Sequence, residues 1–165
     1  MTLGLSLENF TLLHVIISLI GIVSGLIVLG GMFGSRRLPG WTAIFLLTTV
    51  LTSVTGFMFP GTTLTPARIF GIISLCVLVP ALIARYAFGM RGLWRWIYVG
   101  GAVIALYLNV FVLVAQSFAK IPVLKPLAPT QSEPPFLASE LFVLVIFILL
   151  GIVALIKFHP ERQAA

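Results

Sequence analysis

The sequence predicts an all-α integral membrane protein, a bundle of five transmembrane helices forming a single domain over residues 1–165. Hydrophobic residues make up 60% of the chain and charged residues 8%, whereas a soluble domain carries roughly 25% charged residues. So few charges cannot cover a surface that faces water, and lipid is therefore the expected solvent. A hydrocarbon core about 30 Å thick needs about 20 apolar residues in a helix. Five stretches are long enough, near residues 12–33, 41–59, 67–88, 94–118 and 136–158.

The basic residues predict the orientation of these spans. If all five spans cross the membrane, one side holds most of the positive charge: Arg36, Arg37, Arg85, Arg91, Arg95, Lys157 and Arg162. The other side holds Arg68, Lys120 and Lys125. Because cytoplasmic loops carry an excess of Lys and Arg, we expect the N-terminus outside and the C-terminus in the cytoplasm. The small size and the strong charge bias suggest a bacterial inner membrane.

The net charge of +6 does not indicate nucleic-acid binding. The basic residues are distributed among short loops, and no basic surface with aromatic residues for base stacking is visible. Cys76 is the only cysteine, which excludes intramolecular disulfides and cysteine-based zinc clusters. The two histidines, His14 and His159, fall on opposite predicted sides. The sequence thus predicts no metal site and no resident cofactor, with a quinone or haem near His14 as a minor alternative.

Small and hydrogen-bonding residues recur on one face of most spans, which is typical of packing between membrane helices. In the first span, His14, Ser18, Gly21 and Gly25 follow helical spacing and include a GxxxG pair. This stripe should therefore face a neighbouring helix rather than lipid. In the third span, Pro80 predicts a kink, because proline removes one backbone hydrogen bond.

Polar residues near the predicted outer ends of the spans form a candidate site. Ionisable groups inside a membrane are costly and mark sites of function or of interhelical hydrogen bonding. We expect His14 to pair with Glu140, with Lys120 or Arg68 as a counter-charge. Both a functional site and a purely structural hydrogen bond fit this pattern. The full predicted set is His14, Thr55, Arg68, Asn109, Gln116, Lys120 and Glu140.

The one long connection, the outer loop 119–135, contains five prolines and is expected to be extended. Its most polar run, residues 130–136, is either a plain connector or a docking strip for another protein. Loops of this length without secondary structure are often functional. The residues predicted to contact such a partner are Gln131, Ser132, Glu133 and Phe136.

The sequence favours a protein that is not an enzyme. No phosphate-binding, dinucleotide-binding or serine-nucleophile motif is present. The first hypothesis is an accessory or structural subunit of a larger membrane assembly, contacting the lipid bilayer and either a protein partner or further copies of itself. The second is a small transport or permeation protein with its outer polar site around His14 and Glu140. The third is a redox-linked protein that binds quinone or haem.

Overall fold

The computed structural model describes residue 4, residues 6–61 and residues 66–160, with the side chains of Pro66 and Ala67 left aside. This part of the chain is helical and contains no strand. All five long helices, counting α3 with its extension, are long and apolar enough to cross a membrane, as the sequence predicts. Arg162, one of the residues used to predict the orientation, lies outside the described residues. The helices are α1 (Leu7–Phe33), α2 (Pro39–Phe57), α3 (Pro66–Leu82), its π-helical extension (Ile83–Ala87), α4 (Leu93–Lys120) and α5 (Pro134–Lys157).

The helices begin earlier than hydropathy alone predicts. The N-cap of α1 is Ser6, whose Oγ accepts a hydrogen bond from the backbone N–H of Asn9 at 3.2 Å. Such a cap satisfies one of the unpaired donors of the first turn. As a result, α1 begins at Leu7. At 1.5 Å per residue, His14 therefore lies about 10 Å inside the helix, deeper than the sequence suggests.

The first four helices close a ring. α1 packs against α2, α2 against α3, α3 against α4, and α4 back against α1. Glycines let these helices approach closely. A Cβ atom on Gly25 of α1 would stand 2.8 Å from the Phe45 ring of α2 and 2.6 Å from Leu106 of α4. The predicted stripe of small residues on the first span is thus a contact face within the bundle.

α5 lies outside this ring. It packs mainly against α4 and touches α1. The α4–α5 contact includes Tyr107 beside Phe147, with ring centroids 5.8 Å apart. Further along, a Cβ atom on Gly151 would stand 3.2 Å from Val103. Most other large side chains of α5 are exposed, as expected for a helix that faces lipid on its outer side.

The irregular part of α3 follows Pro80. The α-helix ends at Leu82 and continues as a π-helical turn, in which the backbone N–H of Phe88 bonds the carbonyl of Ile83 at 3.2 Å. Such insertions locally change the direction of side chains in a helix. The turn places Arg85 in a buried position, 9% exposed.

We call the end of the bundle formed by residues 34–38, 88–92 and 158–160 the arginine end, and the opposite end, which carries loop 121–133, the loop end. At the arginine end, Arg85 donates a hydrogen bond to the carbonyl of Arg37 at 3.2 Å. Its guanidinium also lies 5.2 Å from the centroid of the Tyr98 ring. Ser35 Oγ donates to the carbonyl of Lys157 at 2.6 Å. These contacts join the connection 34–38 to the π-helical extension and to the end of α5.

The loop between α4 and α5 is folded rather than extended. Residues 121–124 form turns, and Lys125–Leu127 form a short 3-10 helix. Ala128 is buried together with Phe118 and Phe136 in a small apolar cluster. This cluster overturns the expected extended conformation, because the prolines fit tight turns as well as an extended chain.

Candidate ligand cavity

His14 contacts α2 directly. Its Nδ1 lies 2.7 Å from Thr55 Oγ1, so two of the predicted site residues meet. The imidazole ring also stands edge-on to Phe59, with ring centroids 5.2 Å apart. These contacts hold the His14 side chain at the junction of α1 and α2, near the loop end.

Further polar side chains continue from His14 toward the middle of the bundle. Ser18 Oγ donates to the carbonyl of His14 at 2.8 Å and lies 3.4 Å from Thr52 Oγ1. One turn deeper, Asn109 Nδ2 of α4 donates to Thr49 Oγ1 of α2 at 3.1 Å. The three helices therefore share a polar layer that ends near mid-depth, as the stripes in the sequence indicate.

Beside this layer lies a cavity of about 130 Å³ that is lined by residues of α1, α2, α3 and α4 and is partly open at the surface of the bundle. Its lining is mostly apolar, with a few hydroxyl, amide and imidazole groups among the apolar side chains. Such a composition is typical of sites for small molecules. The lining residues are His14, Val15, Ser18, Leu19, Ile22, Thr52, Ser53, Gly56, Phe70, Gly71, Ser74, Leu108, Asn109, Val112, Leu113 and Gln116.

The cavity does not continue to the arginine end. Below Asn109 the helices are tightly packed, and Phe45, Leu46 and Leu106 are each 1% exposed. The space beside Gly25 at this level is too small for a water molecule. The polar layer therefore leads into a closed-ended cavity rather than through the bundle.

Ser74 is the most unusual group in the lining. It is 4% exposed, yet its Oγ has no hydrogen-bond partner among the described residues. Elsewhere in the bundle, Ser18 and Ser53 donate to the carbonyl four residues earlier, which is how a helix usually satisfies a buried serine. Leaving a buried hydroxyl unpaired costs about 1–3 kcal/mol. Sequence analysis missed Ser74 because it stands alone among apolar residues and belongs to no polar stripe.

The structure brings together only part of the predicted polar site. Gln116 and Asn109 line the cavity with His14. Lys120, at the exposed end of α4, is near enough to interact electrostatically with His14. Arg68 lies at the same end but donates to the carbonyl of Phe59 at 2.7 Å.

The expected pair of His14 and Glu140 does not form. Glu140 is 7% exposed, and neither of its carboxylate oxygens has a hydrogen-bond partner among the described residues. The reason is the position of α5, which lies outside the ring and packs mainly against α4, whereas His14 contacts Thr55 of α2.

The four residues of the predicted docking strip all take part in contacts within the chain. Gln131 Nε2 donates to the carbonyl of Ala115 in α4 at 2.6 Å. The Phe136 ring packs edge-on against Phe118, with centroids 5.6 Å apart. Glu133 accepts hydrogen bonds from the hydroxyl and backbone N–H of Thr130 and from the backbone N–H of Ser132. Desolvation acts to raise the pKa of Glu133, but these hydrogen bonds outweigh it and lower the pKa.

Within the described residues, no group of three or more His, Cys, Asp or Glu side chains is placed to hold a metal ion. The five apolar helices are consistent with an integral multi-pass membrane protein, and the ring of four lines a cavity with polar groups among apolar side chains. No protein-family model, curated protein or solved structure matches this chain.

Proposed function

We propose that this protein binds a small, mostly apolar molecule carrying a polar group, and that it holds this molecule in the cavity beside His14. The observation that carries the proposal is the unpaired Ser74 hydroxyl in the cavity wall. A ligand that accepts a hydrogen bond from Ser74 removes the cost of leaving that buried donor unpaired.

The size of the cavity limits the ligand. A volume of about 130 Å³ is similar to that of an engineered apolar cavity of about 150 Å³ that takes up benzene. One ring with a small substituent fits this space, whereas a haem macrocycle does not. Of the redox ligands considered from the sequence, only the ring of a quinone is compatible with this volume.

Binding is favoured over permeation by the packing below the cavity. A transport pathway through one chain needs polar groups or free space along its whole length. Here Phe45 and Leu106 close the route just below the polar layer. Permeation would have to follow a second conformation or a path between copies of the chain.

We further propose that the loop end faces outward from a bacterial inner membrane. The support is the charge distribution, with Arg36, Arg37, Arg85, Arg91 and Arg95 at the arginine end. In this orientation a ligand reaches the cavity from the outer leaflet or the periplasmic side. The accessory-subunit hypothesis remains a prediction. The four residues of its docking strip all make contacts within the chain.

The proposal is tested with fluorobenzene as a probe and 19F NMR as the readout, on protein in detergent micelles. We expect a saturable binding contribution above the partition of the probe into empty micelles. Ser74→Leu fills the cavity and should remove this contribution. Ser117→Leu is the matched control, because Ser117 bonds to the carbonyl of Leu113 and does not line the cavity.

Equal thermal midpoints of the two variants would show that loss of binding is not loss of fold. Binding that never saturates in the natural protein, or that is the same in Ser74→Leu and the natural protein, would contradict the proposal.

A further inference from the structure

The hydrogen bonds of Thr55 favour one of the two ring nitrogens of His14 as the one that carries the hydrogen. Thr55 Oγ1 lies 2.7 Å from the carbonyl of Leu51 and 3.2 Å from that of Thr52, both in its own helix. A threonine hydroxyl has one hydrogen to donate, and two backbone carbonyls of its own helix lie within reach of that hydrogen. With that hydrogen on a carbonyl, the hydroxyl oxygen accepts from His14 Nδ1, which lies 2.7 Å away. The neutral imidazole of His14 then carries its hydrogen on Nδ1.

The other ring nitrogen is consequently an acceptor. In a neutral imidazole, one nitrogen donates and the other accepts. Among the described residues, the contact with Thr55 is the ring's one side-chain hydrogen bond, so Nε2 keeps its lone pair. Gly56 leaves room at this edge of the ring, because a Cβ atom there would stand 3.9 Å from His14 Cε1. Gly56 and His14 both line the cavity.

The cavity thus offers an acceptor and a donor at similar depth. His14 is seven residues inside the start of α1 and Ser74 is eight residues inside the start of α3, which corresponds to about 10–12 Å from the two helix starts. The same cavity is also lined by apolar side chains that include Phe70, Ile22 and Leu108. A ligand that satisfies both polar groups has a hydrogen to donate, an oxygen to accept, and an apolar body about the size of one ring.

We propose that the ligand is a phenol-type molecule, such as the ring of a hydroquinone, whose hydroxyl donates to Nε2 of His14 while Ser74 donates to an oxygen of the ligand. This inference rests on the proposed binding function and specifies its ligand class. His14 is the binding residue, and Thr55 is a positioning residue that acts through the tautomer of His14.

The test compares three probes of similar size: 4-fluorophenol, 4-fluoroanisole and fluorobenzene. Binding is measured by 19F NMR and corrected for the partition of each probe into empty micelles. We expect 4-fluorophenol to bind roughly 3- to 10-fold more tightly than 4-fluoroanisole, the ratio that one hydrogen bond contributes. His14→Phe keeps an aromatic ring but no acceptor, so it should abolish this preference and retain fluorobenzene binding.

A second measurement examines the tautomer without any ligand. His159→Gln leaves His14 as the one histidine of the chain, so its ring nitrogens can be assigned in 15N NMR spectra. We expect the Nδ1–H tautomer in this protein and a mixture of tautomers after Thr55→Val is added. Thr48→Val is the control, because Thr48 Oγ1 bonds to carbonyls of its own helix, Ile44 and Phe45, and not to His14.

The outcomes separate the two proposals. If fluorobenzene does not bind, the proposed function fails. If fluorobenzene binds but 4-fluorophenol is not preferred, or if the preference persists in His14→Phe, the phenol inference fails and the binding function stands. An Nε2–H tautomer before Thr55 is changed would also overturn the inference.

Discussion

Arg95, near the start of α4, bonds the carbonyl of Phe158 at the end of α5, with 2.6 Å between Nη1 and the oxygen. The same nitrogen donates to the carbonyl of Leu155 at 3.0 Å. The last carbonyls of a helix have no intrahelical donor, and a positive charge there also complements the helix dipole. The Phe158 ring packs against Tyr98, with centroids 6.0 Å apart. This contact attaches the outer helix to the ring of four.

Replacing Arg95 with alanine should therefore destabilise the attachment of α5. Hydrogen bonds from a charged donor contribute about 1.5–3 kcal/mol to stability, and we expect the free energy of unfolding to fall by about that amount. The loss is measured as a lower midpoint of thermal unfolding in detergent. Arg95→Lys should lose less, because it keeps the charge but not the planar guanidinium. Arg91→Ala is the control, since Arg91 is exposed at the same end. Equal losses in Arg95→Ala and Arg91→Ala would contradict the capping role.

Gly25→Ala should destabilise the ring. The added Cβ would stand 2.6 Å from Leu106 Cδ1 and within 2.9 Å of the Phe45 ring. Overpacking of this kind costs roughly 1–3 kcal/mol. Gly30→Ala in the same helix is the matched control, because a Cβ there meets nothing within 4 Å. The measurement compares the thermal midpoints of the two variants. An equal midpoint for Gly25→Ala and Gly30→Ala would show that α1 is not packed tightly at Gly25.

Glu140→Leu should stabilise the protein. The Glu140 carboxyl is buried with no hydrogen-bond partner among the described residues, and removing a buried unpaired polar group recovers roughly 1–3 kcal/mol. Glu133→Leu is a useful contrast, because the Glu133 carboxylate accepts three hydrogen bonds and its loss should lower stability. The midpoints of thermal unfolding in nanodiscs measure the stability of both variants. A destabilised Glu140→Leu would reveal a partner for this carboxyl in the membrane.

The Glu133 carboxyl should titrate below its ordinary pKa of 4.5. Because its pKa in the folded state is lowered, its stabilising effect is present above the unfolded-state pKa and is lost as the pH falls through the folded-state value. The 13C shift of the Glu133 carboxyl, followed against pH, measures this titration. Thr130→Val removes one donated hydrogen bond and should move the pKa upward. A pKa unchanged by Thr130→Val would contradict the role of that hydrogen bond.

The proposed orientation is tested with single cysteines in a Cys76→Ser background. Ser132 is exposed at the loop end, and Leu93, which is 73% exposed, lies at the arginine end. In intact spheroplasts, a membrane-impermeant maleimide should label Ser132→Cys, and Leu93→Cys should react only after lysis. The reverse pattern would show the opposite orientation, and labelling of both would show a mixed one.

The sequence predicts the helices well, because each needs only about 20 apolar residues to cross a membrane. Their starts are less predictable. The first turn of α1 contains Glu8 and Asn9, which lower its hydropathy, while the cap at Ser6 that begins the helix depends on local hydrogen bonding. The contact of His14 with Thr55 was accessible to sequence analysis because both residues belong to stripes at similar depth.

Other parts of the site depend on how the helices are arranged. Glu140 lies at a depth similar to that of His14, but no feature of the sequence shows that α5 packs outside the ring. Ser74 becomes notable only when its missing hydrogen bond and the adjoining cavity are seen together. The fold of the loop also escaped prediction, because the burial of Ala128 with Phe118 and Phe136 depends on packing between the loop and the ends of α4 and α5.

The closure of the ring by α1 and α4 has a consequence for biosynthesis. α1 and α2 are adjacent along the chain and can pair as soon as both have left the ribosome. The wall that carries Asn109 and Gln116 arrives with α4, almost 100 residues after His14. The contact of His14 with Thr55 thus needs only the first two helices, whereas the cavity beside it needs the fourth. α5 follows these helices in the chain and packs on the outside of a ring whose four helices all precede it.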